Sequence, residues 1–436
     1  MRPSDTKAWP PRAGLVNAYS RAKGKSMSAD RDDAVVFDHL RREGLRTEYP
    51  ADLPAIPPLP AKRYSDPAFY ALELEKVFSK TWLAAGHISE LPTPGAYKLF
   101  EELGQSVIIS RGTDDVVRAF KNACRHRASA IVTEKSGVAR RFVCPYHAWG
   151  YSTDGSLKSV PEPQNFACLN KKELSLHRVR CEIWRGFIFL NFDEDAQSLD
   201  DFIAPLAAQI GDFPFEEMSI KGLVVNELDC NWKTAYDNFV ESYHINTVHQ
   251  KTIAPFIDTK TWTLETLQGG HGCLRTLKRG SDTLFKSEQI SHGITQSVSD
   301  RYKTVTVAIP RFPNGTAGLD PAGFVWQSFW PTSPNTMRVV NLVVGPTLPD
   351  PEQDRQHWEN FVSYNNKILA EDMFLFASMQ RSMREGDISH VMLSTQEHYI
   401  QWYHEHLDMM IGGENVPEDL RVEPVLTRHL EKQSQF

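Results

Sequence analysis

The spacing of apolar and polar positions divides the chain into stretches of different character. Residues 67–82 place Phe69, Leu72, Leu74, Val77, Phe78 and Trp82 at helical intervals, which predicts a helix. From 96 to about 193 the pattern becomes short strands with turns. Residues 107–109 and 116–120 flank a Gly-Thr-Asp-Asp turn at 112–115, a hairpin signal, and residues 152–155 (Ser-Thr-Asp-Gly) form another turn. Residues 183–192 read as one buried strand. Beyond 196 the periodicity lengthens. After an alternating stretch at 224–228, a helical segment is expected from Trp232 to about Thr247, strands at 304–309, 324–330 and 337–344, and helices at 352–385 and near 396–411. Strands followed by long helices without βαβ alternation predict an α+β fold. The Pro-rich stretch YPADLPAIPPLPAK at 49–62 reads as an extended linker.

Composition narrows the class. At 436 residues the chain has room for two or three domains, and its hydrophobic (41%) and charged (24%) shares are those of an ordinary globular protein. No apolar run of about 18 residues occurs, so no membrane span is expected. A net charge of −7 argues against a nucleic-acid partner. Residues 1–29 carry six Lys/Arg and one acid without a signal-peptide core; a basic, flexible arm over 1–45 is the expectation, with an organelle transit peptide as the alternative. Six cysteines in a chain of this length are no disulfide framework, which points to a cytoplasmic setting.

Two of those cysteines belong to a pattern. Cys124-Arg-His126 is followed, after 17 intervening residues, by Cys144-Pro-Tyr-His147. Two thiolates and two imidazoles suit a tetrahedral zinc, or a [2Fe–2S] cluster with the cysteines on one iron and the histidines on the other. One thiolate and one imidazole on each of two loops favours the cluster. A second constellation lies in NWKTAYDNFVESYHINTVHQ at 231–250. Glu241 and His244 are three apart and share a helix face, whereas His249 lies about 140° round a straight helix from His244. Both imidazoles reach one metal only if the helix distorts or ends between them. Two His and one carboxylate with open positions form the facial triad of non-haem Fe(II) oxygenases. In LAEDMFLF at 369–376, Asp372 is flanked at i±3 and i±4 by Ile368, Leu369, Leu375 and Phe376, so it faces an apolar side and needs a partner there. Glu371 has Lys367 one turn back and is read as a helix-surface residue.

CRHRA with CPYHAWGY resembles a Rieske motif, and NWK…DNFVESYHxxxxH is similar to the mononuclear-iron segment of Rieske non-haem iron oxygenase α-subunits, over about residues 60–410. The resemblance implies a Rieske β-sandwich [2Fe–2S] domain at 83–195 and a helix-grip (START-like) catalytic domain made of 46–82 and 196–436. It implies Cys124, His126, Cys144 and His147 as cluster ligands and His244, His249 and Asp372 as ligands of a mononuclear Fe(II). Glu241, where many ring dioxygenases have Asp, would link an iron histidine to a Rieske histidine across a subunit boundary, and Asn238 would stand near the iron. It also implies a homotrimer that takes electrons from a separate ferredoxin or flavin/iron-sulfur reductase, with NAD(P)H used only through that partner, and O2 and a small organic substrate as reactants.

The DNFVESYH spacing is closer to the carnitine, glycine-betaine and stachydrine oxygenases than to naphthalene-type dioxygenases, which have one more residue between the Asn and the acid. Hydroxylation or oxidative demethylation of a quaternary ammonium or aromatic substrate is therefore expected. Aromatic cis-dihydroxylation is the alternative, and a Rieske electron-transfer or binding protein the alternative of another class. Ala377 stands where several quaternary-ammonium relatives carry Glu. The remaining expectations are local. His404-Glu-His406 is read as part of a surface helix, the other four cysteines as core residues, and Trp262, Phe312, Phe324, Trp326, Phe329 and Trp330 as core or pocket wall. The basic stretch with Arg125, Arg127, Lys135, Arg140 and Arg141 is read as a solvated face able to dock an acidic electron donor.

Overall fold

The computed structural model describes residues 26–211, 213–279 and 301–433. It divides into two compact units, one comprising 82–199 with 26–29, the other 30–81 with the described residues from 200 to 433. The segment before the first unit thus belongs to the second.

In the first unit a seven-stranded sheet runs in the order Leu83–His87, Phe187–Asn191, Arg178–Trp184, Val117–Lys121, Val107–Arg111, Ala96–Phe100, Ser136–Val138, every pair antiparallel. A smaller sheet pairs Arg141–Val143, Gly150–Ser152 and Leu157–Ser159. Ile108 and Phe120 of the large sheet share one core with Phe142, Tyr151 and Leu157 of the small one, which makes the unit a β-sandwich. The hairpin expected near 112–115 closes with Arg111 opposite Val117. The run at 183–192 is two strands and not one. Arg185 (φ 46°) and Gly186 (φ 90°) turn the chain back, and Trp184 pairs with Phe187. Positive φ at both central residues matches the strand twist of a two-residue hairpin. A Cβ on Gly186 would also lie 2.4 Å from His87 Nε2, so glycine alone fits there.

The second unit is built on a seven-stranded antiparallel sheet ordered Ser219–Leu228, Thr336–Gly345, Phe324–Ser333, Gly315–Leu319, Val305–Ala308, His271–Lys278, Ile257–Leu267. The helix Pro351–Glu385 packs on it through Trp358 and Phe361 against Val343. Asp350 starts that helix by accepting from Gln353 N, Pro351 occupies its first turn, and Gly386 ends it at φ 76°. Sheet and long helix together give the α+β, helix-grip arrangement. Gln380, 3% exposed, ties three segments to this helix. Its Oε1 accepts from Asn231 N at 2.6 Å, and its Nε2 donates to Tyr64 O at 2.9 Å and Asn335 Oδ1 at 2.8 Å. Asn231 in turn caps the helix Trp232–Asn238 by accepting from Lys233 N.

Two more expectations are corrected. Residues 1–25 lie outside the described residues, but Ser26–Gly44 is a helix with Leu40 fully buried, so the arm is in part folded. Arg46, just beyond it, donates to Thr395 Oγ1 at 3.1 Å. The helical segment at 232–247 is also interrupted, since Trp232–Asn238 and Ile245–Val248 are separate helices.

Candidate metal centres

The two Cys/His loops of the first unit share one backbone design. In each, the amide four residues on returns to the cysteine carbonyl (Ala128 N to Cys124 O, 2.9 Å; Ala148 N to Cys144 O, 3.0 Å). Each cysteine amide reaches the residue beyond, at Ser129 O and Trp149 O. Both alanines are left-handed, at φ 57° and 54°. A side chain in that region costs about 1–2 kcal/mol, so the two loops keep a strained shape that a ligand-holding arc requires. Cys124 and Cys144 are buried, and the His126 and His147 ring centroids are 4.7 Å apart. His126 stacks on Trp149 at 5.0 Å, and its Nδ1 is buried without a hydrogen-bond partner among the described residues. Burial first, then the neighbouring His126 and Arg127, lowers the His147 pKa and favours the neutral imidazole that a metal needs. Tyr151 Oη lies 3.3 Å from Cys124 Sγ and accepts from Arg125 N at 3.0 Å. The donor set and the orphaned imidazole nitrogen fit a cluster of two cysteines and two histidines.

In the second unit, ligand nitrogens and oxygens of His244, His249 and Asp372 lie within 4.8 Å of one another. The helix break brings them there. Glu241 accepts from the Tyr243 and His244 amides with Oε2, capping the restarted chain with its own side chain. Its Oε1 contacts His244 Nδ1, which leaves His244 Nε2 to face Asp372 Oδ1 at 3.7 Å. His249 ends the short helix Ile245–Val248, and its Nε2 is 3.1 Å from the same oxygen. Asp372 is 1% exposed, and Oδ1 meets no donor in hydrogen-bonding geometry. An ionised carboxylate left so deep is costly, and a cation between it and two imidazoles removes the cost. The residues therefore fit a mononuclear metal with two His and one carboxylate. The Asn238 Nδ2 is buried and also lacks a partner among the described residues.

Glu371 is not the surface residue expected from its Lys367 neighbour. Its Oε2 lies 2.8 Å from His249 Nδ1 and accepts from Thr252 Oγ1. Burial works against its ionisation, but these two hydrogen bonds outweigh it and the Glu371 pKa falls. Burial likewise opposes protonation of His249, and the carboxylates of Asp372 and Glu371 overcome it to raise that pKa. In the sequence, nothing near Glu371 points to residues 249–252.

Family models match both units: a Rieske [2Fe–2S] domain over residues 81–172 and a ring hydroxylating alpha subunit catalytic domain over 215–413. The chain thus carries a Rieske [2Fe–2S] domain followed by a ring hydroxylating alpha subunit catalytic domain. The carnitine monooxygenase oxygenase subunit of Escherichia coli (strain K12) is 33% identical over 193 residues, 44% of this chain and 52% of that protein. A benzene 1,2-dioxygenase subunit alpha of Pseudomonas putida is 38% identical over 196 residues, 42% of each. These matches span about half the length of the curated relatives. In fold, the chain superposes on the quaternary ammonium Rieske monooxygenase CntA with a TM-score of 0.70 at 23% identity, covering 84% of this chain and 98% of that one. The two domains imply a Rieske [2Fe–2S] cluster and a mononuclear iron.

Other features of the two domains depart from the local expectations. His404-Glu-His406 is buried, at 0%, 4% and 8% exposure. The helix His398–Ile411 is enclosed on its polar side (Gln401, His404, Glu405, Asp408) as well as on its apolar side (Tyr399, Tyr403, Leu407), and its amphipathic pattern alone predicts a surface position. Arg63 Nε donates to His404 Nδ1 at 2.9 Å, so Nε2 carries the proton toward Tyr64 Oη at 3.2 Å, and Tyr64 donates to Asp237 Oδ2 at 2.7 Å. Burial raises the Asp237 pKa to about 7 against the opposing hydrogen bond of Tyr64 and the charges of Lys233 and Arg63. Below this chain, Lys233 and Glu73 form a fully buried ion pair at 2.8 Å. Of the remaining cysteines, Cys230 and Cys273 are buried, but Cys168 is exposed and Cys181 only partly covered. Phe312, Phe324, Trp326, Phe329 and Trp330 are core, with Arg311 over the Trp326 ring at 3.9 Å. Trp262 is half-buried.

Proposed function

We propose that the chain is the terminal oxygenase component of a multicomponent Rieske system. It uses O2 and electrons from a separate ferredoxin or flavin/iron-sulfur reductase to hydroxylate or oxidatively demethylate a small organic substrate. The observation that carries this is the convergence of His244 Nε2, His249 Nε2 and Asp372 Oδ1 on one point, in a chain that also presents the Cys124/His126 and Cys144/His147 loops. When bound, the iron supplies O2 activation and the cluster supplies single electrons. Cys124, Cys144, His126 and His147 would hold the cluster, and Trp149 stacks on the His126 ring and fixes it. His244, His249 and Asp372 would hold the iron, as a two-His, one-carboxylate set does in non-haem Fe(II) oxygenases. Glu241 fixes the His244 ring, and we assign it the link toward a Rieske histidine of a neighbouring copy in a homotrimer. Asn238 supplies an uncommitted amide near the same turn. A cytoplasmic location suits the reduced thiols the cluster needs.

The likeness to the carnitine oxygenase subunit and to CntA supports a quaternary ammonium substrate. The likeness to the benzene dioxygenase alpha subunit supports aromatic dihydroxylation as the second reading. An O2-uptake screen with a surrogate reductase, run on methylammonium compounds and on aromatic acids and hydrocarbons, separates the two by which class stimulates turnover. His244→Ala is expected to abolish substrate-coupled uptake while the Rieske absorbance persists. Turnover that survives the substitution overturns the oxygenase assignment.

A further inference from the structure

The His249 imidazole is gripped along one edge by two consecutive carboxylates. Asp372 faces Nε2 at 3.1 Å and Glu371 faces Nδ1 at 2.8 Å. Neighbouring residues on a helix project about 100° apart, so one turn of Pro351–Glu385 supplies both groups only if the ring lies between them. Glu371 is itself held. Thr252 Oγ1 donates to the Oε2 that contacts His249, and Thr252 O accepts from Tyr364 Oη at 2.6 Å. Thr252 is fully buried, and its amide returns to His249 O at 3.3 Å, so the turn after the ligand and the carboxylate behind it are one unit. His244 has a matching arrangement with Glu241 behind Nδ1.

We infer that Glu371, secured by Thr252, is a positioning residue that orients the His249 ring and strengthens it as a metal ligand; this rests on the mononuclear-iron assignment above. Glu371 contacts His249 and Thr252 and lies outside the candidate ligand set His244, His249 and Asp372. With Nδ1–H committed to a carboxylate, Nε2 is the nitrogen that ligates, and negative charge behind the ring raises its basicity. Loss of such a partner typically costs 10–100-fold in metal affinity. Two features separate Glu371 from a merely structural residue. It is part-exposed, so its removal opens no sealed cavity, and it lies one residue from a ligand on the same helix.

The test is metal affinity. Full-length protein with its Rieske cluster intact is stripped of mononuclear metal and titrated with Co(II) against a competing chelator, with ligand-field absorbance as the signature. Glu371→Ala is expected to raise Kd by 10–100-fold, Glu371→Gln by less because an amide oxygen still accepts from Nδ1, and Thr252→Val by several-fold. The Rieske absorbance should be unchanged in all three. Kd values within twofold of wild type for Glu371→Ala and Thr252→Val overturn the inference. If Glu371→Ala loses its cluster or fails to fold, Glu371→Gln and Thr252→Val decide by the same criterion. Failure of the wild-type protein to bind one Co(II) that His249→Ala abolishes would instead overturn the iron assignment itself.

Discussion

Tyr151→Phe tests the first metal centre through a single atom. Tyr151 is fully buried, and its hydroxyl oxygen accepts from Arg125 N at 3.0 Å, so its one proton is free to point at Cys124 Sγ, 3.3 Å away. Burial, and then the Cys124 hydrogen bond, push the phenol well above its ordinary pKa, so it remains a donor across the working pH range. A donor to a ligand sulfur stabilises the reduced, more negative cluster more than the oxidised one and raises the potential. A hydrogen bond to a charged group is worth about 1.5–3 kcal/mol, and 1.4 kcal/mol corresponds to about 59 mV for one electron. If that strength is realised mainly in the reduced state, the ceiling is about 60–130 mV, and a fall of at least about 30 mV is expected for Tyr151→Phe. The same change strands the Arg125 amide, at about 1–3 kcal/mol of stability, so cluster content must be checked by absorbance first. The assay is an anaerobic redox titration of the purified protein followed in the visible region. A midpoint unchanged within about 15 mV in cluster-replete variant would refute both the proton direction and the placement of the cluster against Cys124.

Two further outcomes follow from the surroundings of the site. The Asp237 pKa, raised by burial to about 7, makes the folded protein bind a proton more tightly than the unfolded chain, so stability is lost as pH climbs from about 4 to 7 and levels off above. Asp237→Asn escapes this, so its melting temperature relative to wild type should rise between pH 5 and pH 8, with about 3 kcal/mol as the limit over that window; a flat difference would show Asp237 ionised throughout. Arg141, at the start of the strand Arg141–Val143 that leads into the second Cys/His loop, and Arg140, in the bend before it, are exposed. Reversing both to Glu should slow reduction by an acidic donor about tenfold at low ionic strength, with the gap closing as salt is added, and an unchanged rate at low salt would remove this face from donor docking.

The parts of this protein that sequence makes readable are those whose chemistry is local in the chain. Cys124 to His126 and Cys144 to His147 each lie within one loop, and Asp372 shows itself by the apolar residues one helical turn away. Alternation and period likewise expose the two β-rich halves and the long helix. What stays hidden depends on partners far along the chain or on a local contest between structures. The strand at 183–192 conceals its turn because apolar residues run on both sides of Arg185-Gly186, and only the positive φ that glycine admits betrays it. Residues 232–247 carry a helical pattern throughout, yet Glu241 offers the amides of Tyr243 and His244 a carboxylate in place of the helix ladder. His404 and Glu405 look solvated until Arg63 and the Leu426 and Thr427 amides arrive to satisfy them. Glu371 is the sharpest case, because Lys367 supplies a sufficient surface explanation while His249 and Thr252 stand over a hundred residues away. A metal ligand can be recognised by its own type and spacing, but the carboxylate behind it resembles any helix-surface acid until the fold brings an imidazole to it. The outer groups that orient a centre are therefore the part of its function that sequence reveals last.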